Sequence, residues 1–414
     1  MEILSINRER LQSDIETLAK IGRCEDYGIY RMAFSEGDVQ GRAWFKNKVE
    51  EAGLEFYQDG AANLHARYQW DGKCPSVMMG SHMDTVPAAG HLDGALGVIV
   101  ALECLRCIKE QNLNIDYPLE AVAFSDEEGR FGGMLGSQAI TGMLTPEKII
   151  NAADLEGVSL IDAMKNVGLD AMDALHARRS PDSVYAYLEL HIEQGPILDD
   201  MDISVGNVDA IAGLFKWDVA LTGTANHAGT TPMDMRKDAF MGLSEFAYRL
   251  QRILDENGSS RSVATIGRVE ISPGAANVIP GKVEFSLEAR DTNPDILSDL
   301  AIVFRKSLSA IARKHELMFE FRVLSEISPV KSNTGIVDTI ENVCKSLKIP
   351  FLQMASGAAH DAQMMAGITR AGMIFVPSKD GRSHSIAEWT DMDDIEKGAN
   401  VALNTMYRIA GGQL

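Results

Sequence analysis

The chain is short of positive charge. It carries 39 Lys and Arg against 59 Asp and Glu, a formal net charge of −20 over 414 residues. A phosphate backbone would be repelled, so nucleic acid is excluded as the expected partner. A small anionic substrate is not excluded, because it answers to local rather than net charge. Long apolar runs are also missing. Nothing approaches the roughly 20 consecutive residues of a membrane helix, so no membrane partner is expected. The N-terminal stretch MEILSINRERLQSDIETLAKIG is amphipathic and charged, without the pattern of a signal peptide. Cysteine is scarce: Cys24, Cys74, Cys104, Cys107 and Cys344 form an odd, scattered set. That argues against a disulfide scaffold and for reduced thiols in a cytoplasmic setting. The one CxxC, Cys104 and Cys107, lies inside the helical stretch LGVIVALECLRCIKE and reads as helix packing.

What remains is ordinary globular composition, and the length suggests two domains. Residues 6–22 and 37–52 read as amphipathic helices, followed by strands near 54–57, 62–68 and 76–81. Helix 94–112, strand 119–125 and strand 184–192 continue a pattern that predicts an α/β sheet. The middle differs. Strand 215–223, helix 238–257, strands 262–271 and 281–291, helix 294–316 and strand 317–325 give β-α-β-β-α-β, the order of a ferredoxin-like unit. The α/β character returns with helix 333–347, strand 372–376 and helix 391–410. The expected architecture is therefore a domain of residues 1–212 and 329–414 interrupted by a second domain, 213–328.

The polar residues that stand out lie at or just past strand ends. His82 and Asp84 follow PSVMMGS, and Asp93 opens the next helix. Asp126, Glu127 and Glu128 follow LEAVAFS. His191 and Glu193 close VYAYLELHI, and His384 lies in a loop after strand 372–376. Sites in open α/β sheets gather at the carboxyl ends of strands. Buried ionisable groups need a partner or a metal. Imidazole with carboxylate suits zinc, and also manganese, cobalt or nickel. His82, His191, His384, Asp93 and Glu128 supply enough ligands for two divalent ions if one carboxylate bridges. Asp84, two residues from His82 on the same side of an extended strand, is placed to hold the His82 ring. Glu127 and Glu128 are adjacent and point differently, so one can ligate while the other moves protons. His65, His176 and His315 read as ordinary histidines, and His91 as a weaker candidate near Asp93.

The ordered motifs GSHMDT, HLDGALG, SDEEGRFG, LELHIEQG, TANHAGTTPMDMRKDA, ANVIPG, SGAAHDA and SHSIAEWT resemble the amidase/hydantoinase/carbamoylase family over essentially the whole chain. These are dinuclear metallohydrolases related to aminoacylases and carboxypeptidases. The resemblance implies an α/β mixed-sheet catalytic domain of metallo-exopeptidase type, with 213–328 as an inserted ferredoxin-like α+β lid and dimerisation domain. It implies that His82, Asp93 and His191 hold one ion, and that Asp93, Glu128 and His384 hold the other, with Asp93 bridging. Glu127 would be the general base and Asp84 would orient His82. His227 would stabilise the oxyanion in the site of a second subunit of a homodimer. Gln194, Asn277 and Arg290 would bind the substrate carboxylate and its neighbours. The implied reaction is hydrolysis of an N-carbamoyl-L-amino acid to the amino acid, carbon dioxide and ammonia. Allantoate and N-carbamoyl-β-alanine are the nearest alternative substrates. An aminoacylase, a dipeptidase or a silent binding protein is a more distant alternative. Ala359 stands where relatives often have Gly, and Leu92 where they often have an aromatic. The SDEEGRFGG stretch departs from the form typical of allantoate enzymes.

Overall fold

The computed structural model describes residues 3–414 and divides into two compact units. One comprises residues up to Asp209 with Ser332–Met354 and His360–Leu414. The other comprises Ala210–Lys331 and Ala355–Ala359.

The strands in chain order are β1 (Glu55–Gln58), β2 (Leu64–Tyr68), β3 (Ser76–His82), β4 (Leu119–Phe124), β5 (Val184–Ile192), β6 (Val205–Ile211), β7 (Gly213–Thr222), β8 (Val263–Thr265), β9 (Val269–Ser272), β10 (Lys282–Asp291), β11 (Met318–Ile327), β12 (Val330–Lys331), β13 (Phe351–Ser356) and β14 (Arg370–Val376). The α-helices are α1 (Arg8–Leu18), α2 (Glu36–Glu51), α3 (Ala95–Glu110), α4 (Leu135–Thr141), α5 (Pro146–Asn151), α6 (Leu160–Asn166), α7 (Ile197–Asp200), α8 (Ala239–Asn257), α9 (Pro294–Lys314), α10 (Thr334–Leu347), α11 (Asp361–Met365) and α12 (Met392–Ala410).

The first unit is built on a mixed sheet in the order β1-β2-β4-β3-β5-β14-β6, with β13 beside β6. Its centre, β4-β3-β5-β14, is parallel, and the flanking pairs β1/β2, β2/β4 and β14/β6 are antiparallel. The parallel strands are buried along their whole length, as two-face coverage requires. Helix α3 shows why. Its apolar residues are buried on every face, against β3, β4, β5, α1 and α12. Its polar members are neutralised there: Glu103 pairs with Arg10 at 2.7 Å, and Arg106 with Asp14 at 2.6 Å. Cys104 and Cys107 lie in this packing as free thiols. Burial pushes both up, Cys107 to about 12, the opposite of a reactive thiolate.

The register places the strand ends level. His82 lies opposite Phe124, and His191 opposite Phe375. All four parallel strands therefore deliver their C-terminal residues to one edge.

The second unit has the expected β-α-β-β-α-β order. Its antiparallel sheet runs β11-β7-β10, with β8 and β9 both on the far side of β10. The single strand expected over 262–271 is split in two at 266–268, where Gly267 lies. Alternate residues of β7 and β10 are buried, and α8 and α9 close over Phe215, Trp217, Phe285, Leu287 and Phe304. Strands β6 and β13 and the short helices α4–α6 are additions to the sequence-based picture.

One buried carboxylate braces the first unit's sheet. Glu120 on β4 accepts from Arg67 Nε (3.1 Å), Ser76 Oγ (2.9 Å) and Arg179 Nη1 (3.1 Å), and lies 3.0 Å from His65 Nδ1. Despite full burial, these partners hold it far below the usual carboxylate range. Glu120→Ala removes the shared acceptor of two part-buried guanidinium groups, Arg67 and Arg179, and of the buried His65. It is expected to cost roughly 3–5 kcal/mol, read as a lower denaturant midpoint of the first unit.

Candidate metal centre

The site lies at the C-terminal edge of the parallel strands. His82 ends β3, His191 lies next to the end of β5, and Glu127 and Glu128 follow β4. Asp93 sits just before α3, and His384 lies in the loop between β14 and α12. Three of the turns carry non-glycine residues with positive φ: Asp126 (52°), Gln194 (59°) and His384 (53°). Such backbone is costly and concentrates at functional sites.

Asp93 is the hub. Its Oδ1 lies 3.2 Å from His191 Nε2 and 3.7 Å from His82 Nε2, and its Oδ2 lies 3.4 Å from His384 Nε2. Glu128 Oε2 is 3.4 Å from the same His384 nitrogen. Two groups of potential ligands result, His82–Asp93–His191 and Asp93–Glu128–His384. Within each, the ligand atoms lie within 4.8 Å of one another.

The donor chemistry fits cations. His82 Nδ1 donates to the Asp84 carbonyl at 3.0 Å, and His191 Nδ1 to the Ile192 carbonyl at 2.9 Å. In the neutral tautomer this leaves both Nε2 lone pairs facing Asp93 Oδ1, an arrangement a cation between them stabilises. The Gly94 N–H also points at His191 Nε2 (3.2 Å), which requires a lone pair there. Glu128 Oε1 is buried without a hydrogen-bond partner. Without a cation, burial lowers His82 to about 4. Burial also opposes charge on His191, but Asp93 outweighs it and raises the ring to about 9. Burial, then Asp361 and Glu128, push Glu127 well above the usual carboxylate range. Burial, then Asp93 and Asp84, do the same to Glu128.

A third group, Glu189–His191–His360, is equally compact. Its Glu189 already accepts from Ser81 Oγ, Tyr187 Oη and the Ala362 N–H, at 2.8, 3.2 and 2.8 Å. His191 Nδ1 is taken by its carbonyl partner. His360 instead packs edge-on against the His191 ring, centroids 4.6 Å apart.

Two residues differ in detail from their sequence reading. The Asp84 group that holds the His82 ring is the main-chain carbonyl, and the carboxylate is 3.9 Å away. That carboxylate accepts from the Glu127 and Glu128 N–H groups at 3.3 and 3.1 Å, fixing the turn that carries both glutamates. Burial, then Asp38, raises its pKa to about 7. Gln194, expected to bind substrate, donates Nε2 to Asp93 Oδ2 at 2.7 Å and keeps Oε1 buried and unpartnered. Glu127 approaches His82 Nε2 to 3.4 Å through Oε2, beside the ligands rather than among them.

Sequence reasoning missed Glu388 and Ser383. Glu388 Oε1 accepts from the Leu92 and Asp93 N–H groups at 2.7 and 3.1 Å, and Ser383 Oγ donates to Asp93 Oδ2 at 2.6 Å. Both lie in SHSIAEWT, but their partners are some three hundred residues away and include main-chain atoms.

His227, Asn277 and Arg290 belong to the second unit. The loops of the first two are joined: His227 bridges Val278, and the Ala228 N–H donates to the Asn277 carbonyl at 2.9 Å. Arg236 donates to the Ala228 and Thr231 carbonyls and clamps the His227 turn, while His227 itself is exposed. Asp238 caps α8. Arg290 is partly committed, to Glu288 at 2.7 Å and to the Gly357 carbonyl at 2.6 Å.

Residues 78–408 match the description of peptidase family M20/M25/M40. The chain belongs to that family. It is 37% identical to the N-carbamoyl-L-amino acid amidohydrolase of Geobacillus stearothermophilus, over 99% of this chain and 100% of that one. It is 33% identical to the allantoate amidohydrolase of Escherichia coli K12, over 97% of this chain and 98% of the other. Among solved structures, an amidase of the hydantoinase/carbamoylase family from Burkholderia multivorans superposes with a TM-score of 0.91 at 30% identity, covering 99% of this chain and 100% of that one. The resemblance carried by the motifs is thus one of whole chains.

Gly94 tests the geometry of this M20 centre. It has φ of 61°, and a Cβ there would lie 2.3–2.4 Å from the atoms of the His82 ring. Gly94→Ala is expected to displace His82 and weaken divalent-metal binding by about tenfold or more. Metal titration of protein with unchanged circular dichroism checks this.

Proposed function

We propose that the chain is a metal-dependent hydrolase of a linear ureido C–N bond. Its substrate in this reading is an N-carbamoyl-L-amino acid, converted with one water to the amino acid, carbon dioxide and ammonia. The observation that carries the reading is the division of the Asp93 carboxylate. One oxygen faces His82 and His191, the other faces His384, and a separate carboxylate, Glu127, stands alongside. The choice of substrate is supported by whole-length similarity to the Geobacillus stearothermophilus amidohydrolase.

In this reading His82, Asp93 and His191 hold one divalent cation, and Asp93, Glu128 and His384 hold the second. Zinc, manganese, cobalt and nickel suit the donor set. When bound, such ions polarise a carbonyl oxygen and lower the pKa of water to roughly 7. Glu127 takes the proton of the attacking water and returns it to the leaving nitrogen. Its buried position, which already favours a proton on Oε, suits the second half of that task. Asp84 keeps Glu127 and Glu128 in register by binding their main-chain N–H groups. Gln194 steadies Asp93 and offers its unpartnered Oε1 to a substrate N–H. Arg290 supplies the planar fork for the substrate carboxylate, and Asn277, on the loop joined to that of His227, is a further polar contact of the substrate. His227 donates to the oxyanion of the tetrahedral intermediate, across a homodimer formed through residues 213–328. Five free thiols fit a cytoplasmic enzyme. Among the described residues no helix is long and apolar enough to cross a membrane.

Ammonia release from N-carbamoyl-L-amino acids, N-carbamoyl-β-alanine and allantoate tests the reading. Metal-free protein is expected to be inactive, and manganese, zinc, cobalt or nickel to restore activity toward the carbamoyl amino acids. Release from allantoate alone would shift the substrate to that of the Escherichia coli relative. Absence of release from any of them, on protein holding two ions, would overturn the reading.

Glu127→Gln is expected to lower kcat by about 10²- to 10⁴-fold, with metal content unchanged. Arg290→Ala is expected to raise KM for carboxylate substrates by about tenfold or more, since a charge-assisted pair contributes roughly 1.5–3 kcal/mol. An equal effect on neutral amides would remove Arg290 from that role.

A further inference from the structure

Glu388 is buried, at 3% exposure, and among the described residues no lysine or arginine pairs with it. A carboxylate in that position is costly unless its oxygens are engaged. Oε1 accepts from two consecutive main-chain donors, Leu92 N–H at 2.7 Å and Asp93 N–H at 3.1 Å. Ser383 Oγ is the donor shared by the two side chains, 3.3 Å from Glu388 Oε2 and 2.6 Å from Asp93 Oδ2. The Glu388 N–H is itself tied to the Ser385 carbonyl at 3.1 Å, closing a short turn just after His384. A closed circuit results, from Asp93 main chain through Glu388 and Ser383 back to the Asp93 side chain. Its two halves belong to segments nearly three hundred residues apart. Gly90 confirms how tightly the circuit is packed: a Cβ there would meet Glu388 Cβ and Oε1 at 2.4 Å.

We propose that Glu388 is a positioning residue. It fastens the loop carrying Asp93 to the loop carrying His384, and so sets the separation of the ligands on the Asp93–Glu128–His384 side. The function follows from what each loop lacks. The Asp93 loop has no strand ladder to hold its N–H groups, and His384 sits on a strained turn with φ of 53°. Ser383 joins the two loops at the Asp93 side chain, and Glu388 adds the tie to the main chain of the Asp93 loop. This inference rests on the two-cation reading above, and it assigns Glu388 no contact with substrate or ion.

The experiment is a chelator-competition titration of the metal-free full-length chain with manganese or zinc, for wild type, Glu388→Ala, Glu388→Gln and Gly90→Ala. Wild type is expected to bind two ions. Failure there overturns the two-cation reading itself, before any variant is considered. Glu388→Ala is expected to weaken one of the two ions by about 10- to 100-fold and to leave the other within about threefold. Glu388→Gln keeps an oxygen for both N–H groups and is expected to stay near wild type. A merely structural role would lower the thermal midpoint of the metal-free Ala variant and leave both affinities unchanged, which overturns the proposal. So would a Gln variant as weak as the Ala variant, because charge rather than hydrogen bonding would then be the cause. If Glu388→Ala does not fold, Gly90→Ala displaces the carboxylate without deleting it. It is expected to weaken the same single ion, and unchanged binding overturns the proposal.

Discussion

Everything around the centre is arranged to keep one carboxylate, Asp93, where its two oxygens serve two different sets of partners. A carboxylate shared in this way must be held against rotation about its own side chain. Asp93 is held at the main chain by Glu388, and at Oδ2 by Gln194 and Ser383. Two of the histidines it faces, His82 and His191, are fixed in turn by backbone carbonyls on their far nitrogens. The Ile192 carbonyl is stiff because β5 holds it, and the Asp84 carbonyl lies only two residues past the end of β3. The chain therefore uses the ends of β3 and β5 to place two of the imidazoles, and holds Asp93, which lies off the sheet, with side chains.

The acidity of the site follows from the same constraint. Asp84, Asp126, Glu127, Glu128 and Asp361 all have pKa values pushed up by burial first and then by a neighbouring carboxylate: Asp38, Asp84, Asp361, Asp93 and Glu189 respectively. No arginine or lysine is set against the Glu127–Glu128 pair among the described residues. Such a cluster is unfavourable by itself and becomes favourable when divalent charge enters it. Cation binding and the ionised form of the site are then one coupled process. The protein-wide excess of negative charge has little part in this, since the groups that matter lie within a few ångströms of Asp93.

That the candidate ligands lie at strand ends was legible in the sequence, and their wiring was not. His82, Glu128 and His191 each come at the end of a largely apolar run, visible as a change from apolar to polar residues. That change is a local signal, and so is the ferredoxin-like order of the second unit, whose amphipathic helices are long. Strands β6 and β13 were missed because VGNVDAI and FLQMAS are short and weakly patterned. The split between β8 and β9 was missed because SVATIGRVEI alternates smoothly through the glycine. Glu388 carried no local signal: its meaning lies in two main-chain N–H groups on a distant segment, and such donors leave no trace in residue types. The same reason explains Asp84. Its spacing from His82 was legible, but the choice between carbonyl and carboxylate depended on where the Glu127–Glu128 turn came to lie.

That turn shows how adjacent residues acquire different chemistry. Asp126 takes positive φ, and its own carboxylate accepts the Phe131 N–H at 3.0 Å, so the chain reverses sharply after β4. The next two N–H groups are captured by the two oxygens of Asp84. With both main-chain donors fixed, the side chains diverge: Glu127 toward His82, Glu128 toward His384. A regular strand would also send neighbours to opposite sides, but it would put one of them on the far face of the sheet. A helix would separate them by about a third of a turn and lift one out of the plane. Only a tight, side-chain-capped turn presents two consecutive carboxylates to the same small volume in different directions. The strain at Asp126 persists because the buried parallel strands leave the turn no other way to close. The division of labour proposed for the two glutamates, ligand and proton carrier, thus has its origin in backbone geometry, one step before either of them.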